Sequence, residues 1–159
     1  MVTKKFIIFT ITAIMLCFTG SLHSQNMNSL QFINSIADKE EVTVGEAVKL
    51  FLMITENKSG SFEENVKYLK SAKVLDSDFN TGANDALKRG LLAKMIAKKL
   101  NLKDSLLGLI LPFERYAHKA CIAENIMQTN TSEWDSISGG ELIEIMTAVS
   151  VILETGGKK

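Results

Sequence analysis

The stretch VTVGEAVKLFLMI at residues 42–54 decides the fold, because its pattern returns twice further along the chain. The later versions are LKRGLLAKMIAKK at 87–99 and ISGGELIEIMTAV at 137–149. Each has a glycine at its fourth position and apolar residues spaced i, i+3, i+4 and i+7 after it. That spacing puts the apolar side chains on one helical face. The sequence therefore predicts three related amphipathic helices.

A further helical pattern and a polar loop precede each of these helices. The preceding helices are predicted at 29–37, 61–73 and 113–127. A period of this length is typical of a repeat protein built from one supersecondary unit. We therefore predict an all-α protein, a compact helical bundle of about six to seven helices. Its three helix-loop-helix repeats span about 28–56, 61–100 and 112–154.

Two of the repeated helices open with the same capping signal. Thr43 is followed three residues later by Glu46, and Ser138 by Glu141. In such a capping box the hydroxyl accepts from the third backbone N–H, and the carboxylate accepts from the backbone N–H of the cap residue. Shared capping chemistry alone also makes helix starts look alike, so it is the alternative explanation of the repeat.

The chain begins with the pattern of a secretory signal peptide. Lys4 and Lys5 precede the apolar run FIIFTITAIMLCF at 6–18, and a short polar stretch follows it. The run is shorter than the ~20 residues that span a bilayer. We therefore expect a cleaved signal peptide at 1–24, a single all-α domain at 25–159, and export to the periplasm, cell envelope or exterior. We expect no integral membrane segment after cleavage.

Charge and cysteine content narrow the function classes. The 18 basic and 18 acidic residues balance, and removal of Lys4 and Lys5 would leave a slightly acidic chain. This argues against nucleic acid as a partner. Of the two cysteines, Cys17 lies in the predicted signal peptide, where the bulky Leu16 before it disfavours lipidation. Cys121 then has no intramolecular partner, so stability must come from packing.

The segment LKRGLLAKMI at 87–96 resembles the signature of S-layer homology domains, where a hydrophobic–Thr–Arg–small–Glu stretch opens the second helix of each unit. The polar loop at 76–85, with Phe79, resembles the loop of that family. The resemblance covers about 28–154. It implies an exported bundle of three helix-loop-helix units with pseudo-threefold symmetry, which docks non-covalently on cell-wall or envelope glycans. The motif arginine is matched by Arg89 alone.

The resemblance therefore makes Arg89 a candidate ligand-binding residue, facing an anionic group of a glycan at a helix start. Trp134, in the polar loop at 129–136, is a second candidate, because a loop aromatic can stack on a sugar or a partner. The alternative for Trp134 is an apolar lid over the edge of the core.

Two other hypotheses concern chemistry outside this resemblance. Asp76, Asp78 and Asn80 place oxygen ligands at alternate positions, as calcium loops do, so calcium is the one candidate cofactor. His118 and Cys121 lie on one helical face with Glu114 and would have to form a nucleophile–base pair in a small enzyme. We expect instead a non-catalytic protein that binds a cell-wall polymer or protein partner, or that serves a structural role.

Overall fold

Six helices account for the regular structure of the described residues, which are 28–102 and 113–156 of a computed structural model. The predicted all-α class is confirmed for this part of the chain, and the predicted signal peptide at 1–24 lies outside it. The helices are α1 at 28–37, α2 at Val44–Glu56, α3 at Phe62–Ser71, α4 at Arg89–Leu100, α5 at Glu114–Ala123 and α6 at Gly139–Glu154.

The chain divides into two units between Ser35 and Ile36. In the first unit the described residues, 28–35, are helical, and Ser35 Oγ donates to the carbonyl of Phe32 at 2.6 Å. The second unit contains the remaining described residues and every feature discussed below. Within it, α4 packs mainly against α5, and α2 packs against α3 and α6.

The loops after α3 and α5 end their helices in the same way. Lys73 and Asn125 adopt left-handed backbone angles, with φ of 59° and 58°. The next residues, Val74 and Ile126, donate to carbonyls five residues back at 2.9 and 2.8 Å. These are Schellman motifs, whose apolar last residue usually packs against the helix it ends. Val74 and Ile126 are accordingly buried, which turns each loop back over the core.

Each of these loops then meets the start of another helix. Asp85 and Asp135 close matching turns, since their Oδ2 atoms accept from the backbone N–H three residues earlier at 2.7 Å. Nearby loop carbonyls satisfy N–H groups that a helix start leaves without partners. The bonds run from Val44 N to Asp85 O at 2.9 Å, Gly45 N to Ala83 O at 2.8 Å, Arg89 N to Asp135 O at 2.9 Å and Gly90 N to Glu133 O at 2.8 Å.

Three fully buried residues, Val42, Leu87 and Ile137, lie just before α2, α4 and α6, and backbone hydrogen bonds link them. We call them the hub. Val42 N donates to Ile137 O at 3.0 Å, and Leu87 N donates to Val42 O at 2.9 Å. The hub residues begin the three sequence segments that predicted the fold, so residues about 45 and 50 positions apart in sequence meet at one point.

The helix caps agree only in part with the sequence. The predicted box at Thr43 and Glu46 is confirmed. At α6, Ser138 accepts from Glu141 N at 3.3 Å, but the Glu141 carboxylate pairs with Arg89 instead of returning to the cap residue. Ser61 and Glu64 form a complete box at α3 that the repeat pattern did not predict.

Candidate functional site

A cleft of about 280 Å³ opens beside the start of α4. Its walls come from α2, from the loop that follows α3, from α4 and from the first residue of α5. Val44, Leu91 and Met95 form part of its apolar wall. The polar and aromatic residues that line it are Asp76, Asp78, Phe79, Asn80, Thr81, Lys88, Lys94 and Glu114.

Lysines hold the loop side of the cleft in place. Lys70 Nζ donates to the carbonyls of Ser77 and Phe79 at 3.0 and 2.7 Å and lies 6.0 Å from the centre of the Phe79 ring. Lys94 and Lys98 each place Nζ 2.5 Å from an Asp76 carboxylate oxygen. These two ammonium groups lower the pKa of Asp76. The loop is thus tied to α3 and to α4.

The lining of the cleft suits a polar, hydroxyl-rich ligand. Lys88 offers a cationic donor, and Asp78 and Glu114 offer carboxylate acceptors. Phe79 adds an aromatic ring beside them. Ligand pockets commonly combine apolar surface with a few polar groups that fix the ligand's orientation. The cleft therefore presents charged groups of both signs and an aromatic ring to a ligand.

The residues predicted to bind calcium all line this cleft. Asp76, Asp78 and Asn80 are brought together there, but the Asp76 carboxylate already faces Lys94 and Lys98. A calcium ion would have to displace two ammonium groups to reach it. Within residues 28–102 and 113–156, no cluster of three or more His, Cys, Asp or Glu side chains is arranged to hold a metal. Calcium binding stays a prediction.

Arg89 lies at the start of α4, as the sequence suggested, but its side chain is turned toward α6. Its side chain is 4% exposed, and its guanidinium makes a two-pronged ion pair with Glu141, with NH2 to Oε2 at 2.9 Å. It does not line the cleft. A local sequence motif places Arg89 at a helix start, but it cannot predict an ion pair with a residue 52 positions away. The geometry gives Arg89 an ion pair that joins α4 to α6, and its contact with a ligand stays a prediction.

Trp134 is 71% exposed on the loop before α6 and does not line the cleft. This exposure excludes the lid interpretation, in which the indole would cover the core edge. Its backbone N–H donates to Ser132 Oγ at 3.4 Å, within the turn closed by Asp135. Trp134 therefore presents its ring to solvent from a well-braced loop and stays a candidate contact for a partner.

His118 and Cys121 are both buried on α5. Burial raises the pKa of the Cys121 thiol to about 12, and Sγ lies 3.7 Å from the Ala93 carbonyl oxygen. A reactive cysteine needs the opposite, a lowered pKa in an accessible, electropositive site. His118 Nε2 lies 3.1 Å from Thr131 Oγ1. This arrangement offers no activated nucleophile for the enzyme alternative.

Sequence reasoning did not assign Phe79, Lys88, Lys94 and Glu114 to one site. Glu114 was considered only with His118 and Cys121. The four residues meet because the loop after α3 folds back over α4, and α5 begins next to Gly90. The one available signal was Phe79, an aromatic residue in an otherwise polar loop.

Comparisons with protein-family models, curated proteins and solved structures find no match to this chain. A search for membrane-crossing helices across 28–102 and 113–156 finds none with the length and apolar character required.

Proposed function

We propose that this chain is an exported, non-catalytic binding protein whose cleft takes a glycan of the cell envelope. The cleft lined by Phe79, Lys88 and Glu114 is the observation that carries the proposal. It combines an aromatic ring with charged groups of both signs at one surface. These are the groups that bind a hydroxylated, partly charged polymer without any step of bond cleavage.

The backbone supports the proposed S-layer homology-like organisation. The loops after α3 and α5 share their Schellman ends, their aspartate-closed turns and their bonds to the start of an earlier helix, α2 and α4 respectively. The hub adds contact among three corresponding residues. Such agreement goes beyond similar capping, because it includes bonds between segments distant in sequence. It favours three related units as the architecture that presents the cleft.

Export is proposed from the N-terminal pattern at 1–24, and it places the cleft where envelope polymers occur. Arg89 serves this function indirectly. Its backbone N–H and its ion pair fix the start of α4, and Lys88, the residue before it, lines the cleft. Lys88 is also held by a 3.0 Å bond from its Nζ to Ser136 Oγ.

The test is co-sedimentation of the purified protein with isolated cell envelopes. Phe79→Ala and Lys88→Ala should each weaken retention roughly three- to tenfold, because each removes one contact worth on the order of 1 kcal/mol. Phe113→Ala and Lys67→Ala are matched controls, since both residues are exposed and neither lines the cleft. Envelope binding that all four variants retain equally would refute a role for the cleft.

Calcium binding is the second candidate, favoured by the presence of Asp76, Asp78 and Asn80 in the same cleft. A ligand that binds only the folded state raises the unfolding temperature. Thermal unfolding in calcium and in chelator measures this directly. A higher unfolding temperature in calcium that Asp78→Asn abolishes would support the site, and identical curves would remove it.

A further inference from the structure

His118 is buried, and its hydrogen bond to the loop at 128–136 indicates which ring nitrogen carries the proton of the neutral ring. Its Nε2 lies 3.1 Å from Thr131 Oγ1, and that hydroxyl lies 2.7 Å from the Gln128 carbonyl oxygen. The carbonyl can only accept, so the Thr131 hydroxyl donates to it. The hydroxyl oxygen must then accept from His118. This network assigns the ring proton to Nε2 and leaves Nδ1 as the atom that takes up a second proton.

The charges around His118 come from two other segments. Arg89 on α4 opposes a positive charge on the ring, while Glu133 and Asp135 on the loop favour one. Glu141 on α6 partly neutralises Arg89 through its ion pair. Burial is the largest influence and, together with Arg89, it outweighs the two loop carboxylates, so the pKa of His118 is lowered.

On α5 itself, Glu114 and Cys121 lie about one turn before and after His118. Cys121 stays protonated at neutral pH because burial raises its pKa to about 12. Glu114 has its side chain at Gly90 and lines the cleft. Arg89, Glu133 and Asp135 are therefore the charged groups that act on the ring in addition to its burial.

The loop that contacts His118 also holds the start of α4. The carbonyls of Asp135 and Glu133 accept from Arg89 N and Gly90 N, and Ser136 Oγ accepts from Lys88 Nζ. His118 and Thr131 form the side-chain contact between this loop and α5. A change at His118 can therefore reach the start of α4 through four residues of loop.

We propose that His118 is an acid-sensitive contact, and that protonation of its ring releases the loop at 128–136 from the start of α4. In the docked loop the ring resists a second proton, because it is out of water and near Arg89. In the released loop the ring is in water and accepts that proton readily. Lowering the pH therefore shifts the equilibrium toward the released loop. The ratio of released to docked loop rises by up to about tenfold per pH unit between the pKa of the ring in the released loop and its lower pKa in the docked loop.

Amide hydrogen exchange followed by NMR on the full chain tests this proposal. Arg89 and Gly90 donate to the loop under His118, whereas Val44 and Gly45 make the matching bonds to Asp85 and Ala83. After correction for intrinsic exchange rates, protection of Arg89 and Gly90 should fall as the pH goes from 7 to 5. Protection of Val44 and Gly45 should fall less, by no more than the loss of stability of the whole fold, which makes the start of α2 an internal control.

His118→Gln supplies the matched variant, because the Gln side-chain amide can still donate to Thr131 but does not titrate. It should make the protection of Arg89 and Gly90 independent of pH over the same range. Equal losses at both helix starts, or no loss at Arg89 and Gly90 in the unaltered protein, would overturn the proposal. So would the same loss in His118→Gln. The comparison of the two helix starts needs no variant, so it decides the matter even where His118→Gln does not fold.

Discussion

Gly139 and Gly140 are neighbours at the start of α6, yet only one of them tolerates a side chain. A Cβ on Gly139 would overlap the carbonyl oxygen of Ile36, and that oxygen belongs to backbone that cannot turn aside. A Cβ on Gly140 would have Ala37 O at 3.8 Å as its nearest neighbour. Gly139 therefore makes the close backbone contact, although it is Gly140 that aligns with Gly45 and Gly90 in sequence.

Gly139→Ala should therefore destabilise the protein by roughly 3 kcal/mol, the upper range for overpacking. Gly140→Ala is the matched control and should be neutral or stabilising by up to about 1 kcal/mol, since alanine is the better helix former. Urea unfolding followed by far-UV circular dichroism measures both changes. Equal effects of the two substitutions would contradict the proposed contact between Gly139 and Ile36.

Between α4 and α6, the ion pair of Arg89 and Glu141 takes the position that two apolar residues take between α2 and α4. Val44 and Arg89 make the same backbone bond at their helix starts, and Leu91 and Glu141 are each the third residue of their helices. Val44 and Leu91 line the cleft. The corresponding position between α4 and α6 holds a buried ion pair instead, with Arg89 Nε lacking a hydrogen-bond partner among the described residues.

Arg89→Val should cost about 3 kcal/mol, because it leaves the partly buried Glu141 carboxylate without its partner. The double variant Arg89→Val with Glu141→Leu copies the apolar pair beside α2 and should recover most of that loss, as apolar replacements of buried ion pairs often do. Unfolding free energies of the single and double variants test the coupling. Additive losses in the double variant would show that the two side chains act independently.

At the scale of the element, local signals predicted the helices and their caps better than they predicted the site. The apolar stripes gave α2, α4 and α6, and the Thr43 box formed as expected because all its atoms lie within four residues. The Ser138 box formed only in part because Glu141 meets Arg89, a residue far away in sequence. Arg89 was placed at a helix start correctly, but its burial depends on α6, which no local pattern reveals.

The cleft shows the same limit. Lys94 and Phe79 belong to different elements, and only the turn of the loop after α3 brings them to one surface. The sequence left Trp134 open between a ligand contact and a lid over the core, and the turn closed by Asp135 holds it in solvent. The chain's sequence thus indicated which segments are helical, whereas the contacts between segments decided which side chains are available to a ligand.

The two complete capping boxes predict similar costs for their removal. Thr43 Oγ1 and Ser61 Oγ each accept from a backbone N–H at 3.3 Å, and the paired glutamates accept from the cap residues' own N–H at 2.9 Å. Thr43→Ala and Ser61→Ala should each lower the free energy of unfolding by about 1 kcal/mol.

The control is Ser150→Ala inside α6, where the hydroxyl only meets Glu154 on an exposed face at 3.3 Å. This change should be close to neutral, because alanine favours the helix. Chemical unfolding of the three variants ranks them. A loss at Ser150 as large as that at Thr43 would argue against capping as the cause.

At the scale of the whole molecule, two sets of titrating groups predict two separate losses of stability in acid. The pKa of His118 is lowered from its ordinary value of 6.5 by burial and by Arg89. The unfolded chain therefore binds a proton at His118 at a higher pH than the folded chain does. The free energy of unfolding falls as the pH drops below about 6.5, and it stops falling below the lower pKa of the folded state.

The carboxylates act in a lower range. Lysines hold the pKa of Glu56 and Asp76 below their ordinary values of 4.5 and 3.8. Their contribution is present above those ordinary values and is lost as the pH falls through the lowered ones. Urea unfolding at pH 7.5, 5.5 and 3.0 should therefore show one loss between the first two conditions and a second between the last two.

His118→Gln should remove the first loss and keep the second, because it takes away the only titrating group with a lowered pKa in the upper range among the described residues. Asp76→Asn should do the reverse, shrinking the second loss while leaving the first unchanged. The Asp76 effect will be modest, since that side chain is 40% exposed and solvent screens its two ion pairs. A loss near pH 6 that persists in His118→Gln would mean that burial of this histidine does not govern the acid response of the fold.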